Sequence, residues 1–263
     1  NNGGSLARIA SAETNTLRFE VGPSNTEAML IDSSGNVGIG ITAPDTVIHG
    51  AKDGGATLTL ENTDTTLAAN DLIGGIDFKG NDASEDGNEV LAYIRAKSLD
   101  TTPDSYLSFG TLKNVGAVDD TVTERMRIDS SGNVLVGKTA DNFGVVGHQL
   151  WNTGVAYHTI DNSHSLALNR LTSDGDIAKF YKDGATVGSI GTTSGDLTIS
   201  SSASSHAGLR FSNSNILPLK DGALSAGGID LGQSSGNYGF KDGFFSGTVN
   251  AANFNTTSDA TLK

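Results

Sequence analysis

Read from one end to the other, the chain trades apolar for polar residues at every second position, in run after run. Each run stops at a cluster of Gly, Ser, Asn or Asp. In "RMRIDSSGNVLVG", Met126, Ile128, Val134 and Val136 alternate with Arg127, Asp129 and Leu135. That is the two-residue period of a strand, and the "SSGN" between the halves is a turn able to host positive φ. "TLTLEN" from Thr57, "GIDFKG" from Gly75 and "VLAYIRAKS" from Val90 predict further strands. No segment keeps a 3.6-residue apolar stripe over a dozen positions, and glycine interrupts almost every window. The pattern predicts an all-β protein built from short strands and hairpins.

The pattern also repeats. "TEAMLIDSSGNVGIGITA" (Thr26 to Ala43) matches "TERMRIDSSGNVLVGKTA" (Thr123 to Ala140) at a shift of 97 positions. Upstream, "LARIASAETNTLRF" (Leu6 to Phe19) parallels "LAYIRAKSLDTTPDSYLSF" (Leu91 to Phe109), with longer loops in the second copy. Ile31 and Ile128 are expected at equivalent positions of equivalent hairpins. The first copy begins partway through the repeat, and the chain starts at Asn1, so a piece of something longer is expected. After about residue 145 the texture changes to strands joined by Asp-Gly, Ser-Gly and Thr-Ser turns. There Leu166, Leu168, Ile177, Phe180, Val187, Ile190, Leu197 and Ile199 are expected to fill a shared interior.

Composition sharpens this picture. Hydrophobic residues are 36% of the 263, and 34 residues are glycine. So thin a supply of apolar side chains hardly offsets the backbone entropy of a lone chain, and association with copies of itself resolves the shortfall. The net charge of −13 argues against nucleic acid and anionic membrane surfaces as partners. The absence of cysteine excludes disulfides and thiolate zinc sites. No apolar run approaches the roughly 20 residues of a helical membrane span.

Candidate chemistry is sparse. "GNVGIG" (Gly35 to Gly40) fits G-x-x-G-x-G, but no strand–loop–helix context follows and the second copy reads "GNVLVG", so it is turn and strand. "NDASEDGNE" (Asn81 to Glu89) and "SDGD" (Ser173 to Asp176) carry carboxylates without EF-hand spacing and read as solvated turns. The histidines, His49, His148, His158, His164 and His206, show no H-x-H or H-x-x-x-H spacing, and no metal or cofactor is expected. Trp151, Tyr157 and Tyr181, flanked by Asn and Asp, suit sugar-ring stacking, or else core packing. Ser258 and Lys263 stand five apart in "SDATLK". That spacing puts their side chains about 140° apart on a helix and on opposite faces of a strand, so only a surrounding fold would bring them together.

The "ERMRIDSSGNV" hairpin, and "LIGGIDFKGND…LAYIRA…YLSFGT" before it, resemble modules of the tail fibres of tailed bacteriophages, marine and cyanobacterial ones above all. "LNRLTSDGDIAKFYKDGATVGSIGT" is similar to another such module. "IDLGQSSGNYGFKDGFFSGTVNAANFNTTSDATLK" resembles the segment leading into the intramolecular chaperone domain that many fibres cut off themselves. In that family a "SDxxLK" motif supplies a Ser nucleophile and a Lys base. By the resemblance Ser258, Asp259, Leu262 and Lys263 match it, with cleavage just before Ser258 and Ser258 and Lys263 an inactive remnant here. A lysine serves as base only when burial frees its amine.

The resemblance implies an elongated, intertwined homotrimeric β-fibre, its Ile, Val, Leu and Phe positions turned inward. The implied parts are a partial repeat (1–50), a second repeat (51–145), a β-rich fibre or tip module (146–220), a neck (221–257) and the start of the chaperone (258–263). The implied role is structural and adhesive, not enzymatic, in the phage tail of the virion, with other tail proteins and a host-surface glycan or receptor as partners. Trp151, Tyr157 and Tyr181 are the candidate glycan contacts. Two rivals are a tailspike polysaccharide depolymerase, which calls for a long parallel β-helix with a carboxylate-lined groove, and a bacterial trimeric adhesin stalk.

Overall fold

The alternation becomes strands. A computed structural model describes residues 7–12, 15–22, 24–81, 89–113, 122–213 and 215–226; among them every regular element is a β-strand and none is a helix. The chain divides between Ser165 and Leu166 into two units. The first holds a five-stranded and a seven-stranded sheet, and the second holds a six-stranded sheet.

The five-stranded sheet runs in chain order through β1 (Ala7–Ala12), β2 (Thr16–Val21), β3 (Thr26–Ile31), β4 (Val37–Ile39) and β5 (Ile48–Gly50). The seven-stranded sheet comprises β6 (Leu72–Lys79), β7 (Val90–Ser98), β8 (Ser105–Thr111), β9 (Thr123–Ile128), β10 (Val134–Val136), β11 (Gly147–Leu150) and β12 (Ala156–Thr159), likewise in chain order. The repeat seen in sequence is a repeat in register. Ile31 pairs with Val37 as Ile128 pairs with Val134, and Leu17 and Phe19 face Ile31 and Met29 as Leu107 and Phe109 face Ile128 and Met126. A bulge follows Phe19 in one copy and Phe109 in the other. One step further out, Ile9 pairs with Phe19 as Ile94 pairs with Phe109. The copies part company after β4, because β5 runs parallel to it whereas β11 runs antiparallel to β10.

Both hairpins close on the same aspartate. Asp32 Oδ1 accepts the backbone N–H of Ser34 (2.8 Å) and of Asn36 (2.9 Å), while Asn36 Nδ2 donates to its Oδ2 (3.1 Å). Asp129 does the same with Ser131 (3.0 Å) and Asn133 (2.8 Å and 3.1 Å). These are aspartate-closed turns in which the side chain imitates a backbone carbonyl. Gly35 and Gly132 sit at φ 85° and 83°, where any side chain is strained. The hydrogen bonds hold the Asp32 carboxyl below its ordinary 3.8, the backbone N–H of Asn36 contributing most.

The two faces of the seven-stranded sheet have opposite chemistry. Ladder pairs put Phe78, Ile76, Ile94, Phe109, Leu107, Met126, Ile128, Val134, Val136 and Leu150 on one face. Tyr93, Arg95, Tyr106, Ser108, Arg127, Leu135 and Gln149 share the other. The second face is the covered one. Tyr106 is 4% exposed and Leu135 1%, whereas Ile76 is 49% exposed and Phe78 52%. It closes because long side chains lie down across it. The Arg95 guanidinium sits 4.3 Å from the centre of the Tyr93 ring and pairs with Asp77 at 2.8 Å. Arg127 sits 4.0 Å from the Tyr106 ring centre, takes both oxygens of Glu124 (2.5 and 2.8 Å) and donates to Thr139 O (3.1 Å). Burial works against the Arg127 cation, but Glu124 more than offsets it, leaving the guanidinium above its usual pKa. Burial pushes the Tyr106 phenol up, Arg127 opposing in part, and its hydroxyl donates to Asn70 Oδ1 at 2.8 Å. Small residues make room, since a Cβ at Gly110 would fall 2.3 Å from the Tyr93 ring.

The five-stranded sheet repeats this division. Phe19, Met29, Ile31, Val37 and Ile39 share one face, with Ile39 51% exposed. On the other, Leu30 is buried and Arg18 pairs with Glu27 at 3.1 Å.

The second unit is a meander of β13 (Gly175–Lys182), β14 (Ala185–Thr193), β15 (Asp196–Ser201), β16 (Ala207–Ser212), β17 (Asn215–Lys220) and β18 (Ala223–Leu224). Asp183-Gly184, Ser194-Gly195 and Asp221-Gly222 turn its hairpins with both central residues at positive φ, the twist-matched geometry for two-residue loops. Phe180, Ile190, Ile199, Leu197, Leu209, Phe211 and Ile216 lie on one face. On the opposite face Thr198 and Leu219 are buried and Arg210 pairs with Asp196 at 2.8 Å.

Three expectations need amendment. "TLTLEN" forms no ladder. Leu58 is exposed, and the segment passes β6 with Leu60 against Gly74 and Asn62 Nδ2 donating to Leu72 O (2.8 Å), without joining the strand. The eight apolar residues from Leu166 to Ile199 do not gather into an interior among the described residues. Leu166, Leu168, Phe180, Val187, Leu197 and Ile199 are all exposed; Leu166 and Leu168 precede the sheet, and the ladder gathers Phe180, Leu197 and Ile199 on a face that no other described residue covers. The change of texture at 145 does not end the seven-stranded sheet, which continues through β11 and β12 to Thr159.

Gly35→Ala and Gly132→Ala should each lower stability by about 1 kcal/mol through backbone strain, and by matching amounts in thermal melts. Gly110→Ala should cost about 2 kcal/mol through overpacking against Tyr93. Depressed carboxyls such as Asp32 contribute stability that is present above the ordinary 3.8 and is lost as pH falls through the lowered value. Melting temperature should therefore hold from neutrality to about pH 5 and drop below about pH 4. A midpoint unchanged at about pH 2.5 would remove the Asp32 turn from the account.

Candidate functional site

The richest cluster of side chains lies where β10, β11 and β12 meet the loop after Val136. The β11–β12 hairpin turns through Trp151 N→Val155 O (2.8 Å) and Gly154 N→Trp151 O (2.9 Å), which folds Trp151 back toward Tyr157. Their rings meet edge to face, 5.2 Å between centres at 72°. Phe143, from the loop, packs edge-on to the same tyrosine at 5.1 Å and 61°. Asp141 Oδ1 accepts from Trp151 Nε1 (3.2 Å) and from Gln149 Nε2. Lys138, itself buried, pins the loop by donating to the carbonyls of Asn142 and Val145 (3.1 Å to the latter). Gly144 N donates to Asn142 Oδ1 (2.8 Å), and Thr159 Oγ1 to Phe143 O (2.9 Å).

Of the three aromatics singled out in the sequence, the structure brings Trp151 and Tyr157 together. Tyr181 belongs to the second unit, on β13, where it is exposed opposite Thr186. Sequence reasoning missed Phe143, whose ring is 62% exposed and is the most open face of the cluster. The indole N–H and the Asp141 carboxylate, which a sugar would otherwise engage, are bonded to each other. The cluster is thus a packed corner that offers the Phe143 ring outward. Ser258, Asp259, Leu262 and Lys263 lie outside the described residues, as does the neck from residue 227 and most of "NDASEDGNE".

Ladder pairing creates contacts that spacing hid. His148 and His158 face each other across β11 and β12 with their Nδ1 atoms 2.7 Å apart. In the second unit Ser201 Oγ lies 3.1 Å from His206 Nδ1. That is half of a nucleophile–base arrangement, but no carboxylate orients the ring among the described residues, where Asp221 accepts instead from Ser205 N (2.6 Å). A cleft of about 380 Å³ on the polar face of this sheet is lined by Asp176, Ser189, Thr198 and Ser200 among others. The Asp176 carboxyl is lowered there, first by the Ser189 hydroxyl and then by Lys179. A second, apolar groove of about 590 Å³ runs beside Ile39, Ile48 and Leu58 in the first unit. Among the described residues no three His, Asp or Glu side chains are grouped to hold a metal.

Trp151 is the only tryptophan, so its fluorescence reports this corner directly. Tyr157→Ala should red-shift the native emission and destabilise the first unit by about 2 kcal/mol, from lost area and lost ring contacts. An unshifted spectrum would mean the corner is not packed as described.

No known family model matches the chain, and no curated protein matches it.

Proposed function

We propose that this chain is a segment of a homotrimeric tail fibre of a tailed bacteriophage, structural and adhesive in role, working at the host cell surface. One observation carries the proposal. In all three sheets the face bearing most of the Ile, Val, Met and Phe is the more exposed one among the described residues, while the opposite face, with its ion pairs and the buried Leu30, Leu135 and Leu219, closes on itself. An open apolar face of this extent marks an association surface. Repeats of the same register present the same face again and again, which suits identical chains winding about a common axis. Association of that kind also gives partners to the edge strands β1, β5, β6, β12, β13 and β18, none of which pairs with a further strand among the described residues. The order of modules along the chain and the motif at Ser258 to Lys263 support the phage reading by resemblance. The outward ring of Phe143 and the exposed Tyr181 are the surfaces offered for glycan stacking.

Light scattering on the purified chain should give about three times 27.0 kDa. Ile128→Asp places a charge at the centre of the open face, away from the closed one, and should bring the mass down toward a single chain. A wild-type chain that is folded, stable and monomeric overturns the trimer. By the same reading, a longer product with the chaperone attached splits between Thr257 and Ser258. Ser258→Ala should keep it whole in intact mass spectrometry, and Lys263→Ala should slow the cut severely.

A further inference from the structure

We propose that His148 and His158 form a site for one divalent transition-metal ion per chain, of the borderline kind represented by Zn2+, Ni2+ and Cu2+. The two residues are directly opposed in the β11–β12 ladder, between the Gly147–Thr159 and Gln149–Tyr157 pairs. On one side the ladder continues into β10, where Val136 faces His148. Direct opposition on a pleated pair brings side chains as close as the sheet allows. Here it brings the two Nδ1 atoms to 2.7 Å, with ring centres 4.9 Å apart and planes at 65°. The rings therefore converge nitrogen to nitrogen instead of stacking.

That contact has the form of a chelate with a proton where the ion would go. One Nδ1 carries a hydrogen and the other accepts it; when an ion binds, the donor ring carries its proton at Nε2 instead, and both Nδ1 lone pairs turn inward. Metal–imidazole bonds of about 2.0–2.1 Å at a tetrahedral angle hold the two nitrogens about 3.3 Å apart. The rings must part by roughly 0.6 Å, a small torsional adjustment for side chains on a surface. His148 is exposed and His158 half-buried, so water can fill the remaining positions. Imidazole donors select these ions over Ca2+ and Mg2+, and the net charge of −13 favours cations near the surface. Both donors come from one chain, on the Val136 side of the sheet at its β12 edge, so no residue of a second chain is needed to form the site even where that face associates.

Calorimetric titration of Zn2+ alone into the full chain, in a buffer that does not chelate, tests the proposal, with Cu2+ paramagnetic resonance as a second readout. One ion per chain and two coordinated nitrogens are expected. His148→Gln and His158→Gln should each weaken binding at least about 10-fold, because a single imidazole loses the chelate. His164→Gln should bind as wild type, and far-UV circular dichroism should be unchanged in all three variants. Zn2+ binding equal in wild type and both pair variants overturns the proposal. So does a ratio of one ion per three chains, or no binding up to millimolar Zn2+.

Discussion

A strand has two sets of side chains, and a single layer of strands can cover only one of them from its own resources. Long side chains that bend over and lie flat are the means available, and Arg, Glu, Gln and Tyr have the reach and the hydrogen-bonding groups to do it. In the seven-stranded sheet Arg95 lies on Tyr93, Arg127 on Tyr106, and Glu124 closes the end of Arg127. Each cation over a ring contributes about 0.5–2 kcal/mol, more as water is excluded. The neighbours conform to this layer. Ser108 and Gly110 stay small beneath it, and Tyr106 reaches across to Asn70.

Closing the polar side leaves the aliphatic side the more exposed one among the described residues. Isoleucine, valine and leucine have no polar ends with which to tie themselves down, and their branching keeps them upright on the pleat. The same division appears in the five-stranded sheet, with Arg18 and Glu27 on the tied side, and in the second unit, with Arg210 and Asp196. Three sheets of different strand number reach one arrangement. That recurrence is the observation on which the proposed association rests.

Most of the strand inventory was legible from alternation alone. "VLAYIRAKS" is β7 residue for residue, and the paired "DSSGN" segments announced two identical turns because the aspartate, the glycine and the asparagine each have a fixed task there. Alternation does not say whether a neighbour is within hydrogen-bonding reach, and so "TLTLEN" keeps the period of a strand yet pairs with nothing. Nor does it say which of the two faces closes. That depends on Arg–Tyr and Arg–Glu contacts such as Arg127 with Tyr106 and Glu124, which join different strands or cross a bulge. The same limit hid His148 and His158, ten positions apart in the chain and adjacent only once β11 and β12 are in register. Phe143 was overlooked because nothing local marks a loop aromatic as the partner of Tyr157.

The bulge after Phe19 and after Phe109 has a consequence for how such a chain can grow over evolutionary time. With the aspartate-closed turn, it fixes strand offset using residues from one short stretch, so a slipped pairing would have to break both at once. A stretch whose alignment is settled internally can be duplicated in tandem by recombination, and the new copy needs no instructions from its surroundings. Length then becomes a quantity that selection adjusts in whole steps. The loops between strands, which are longer in the second copy than in the first, remain free to diverge without disturbing the frame.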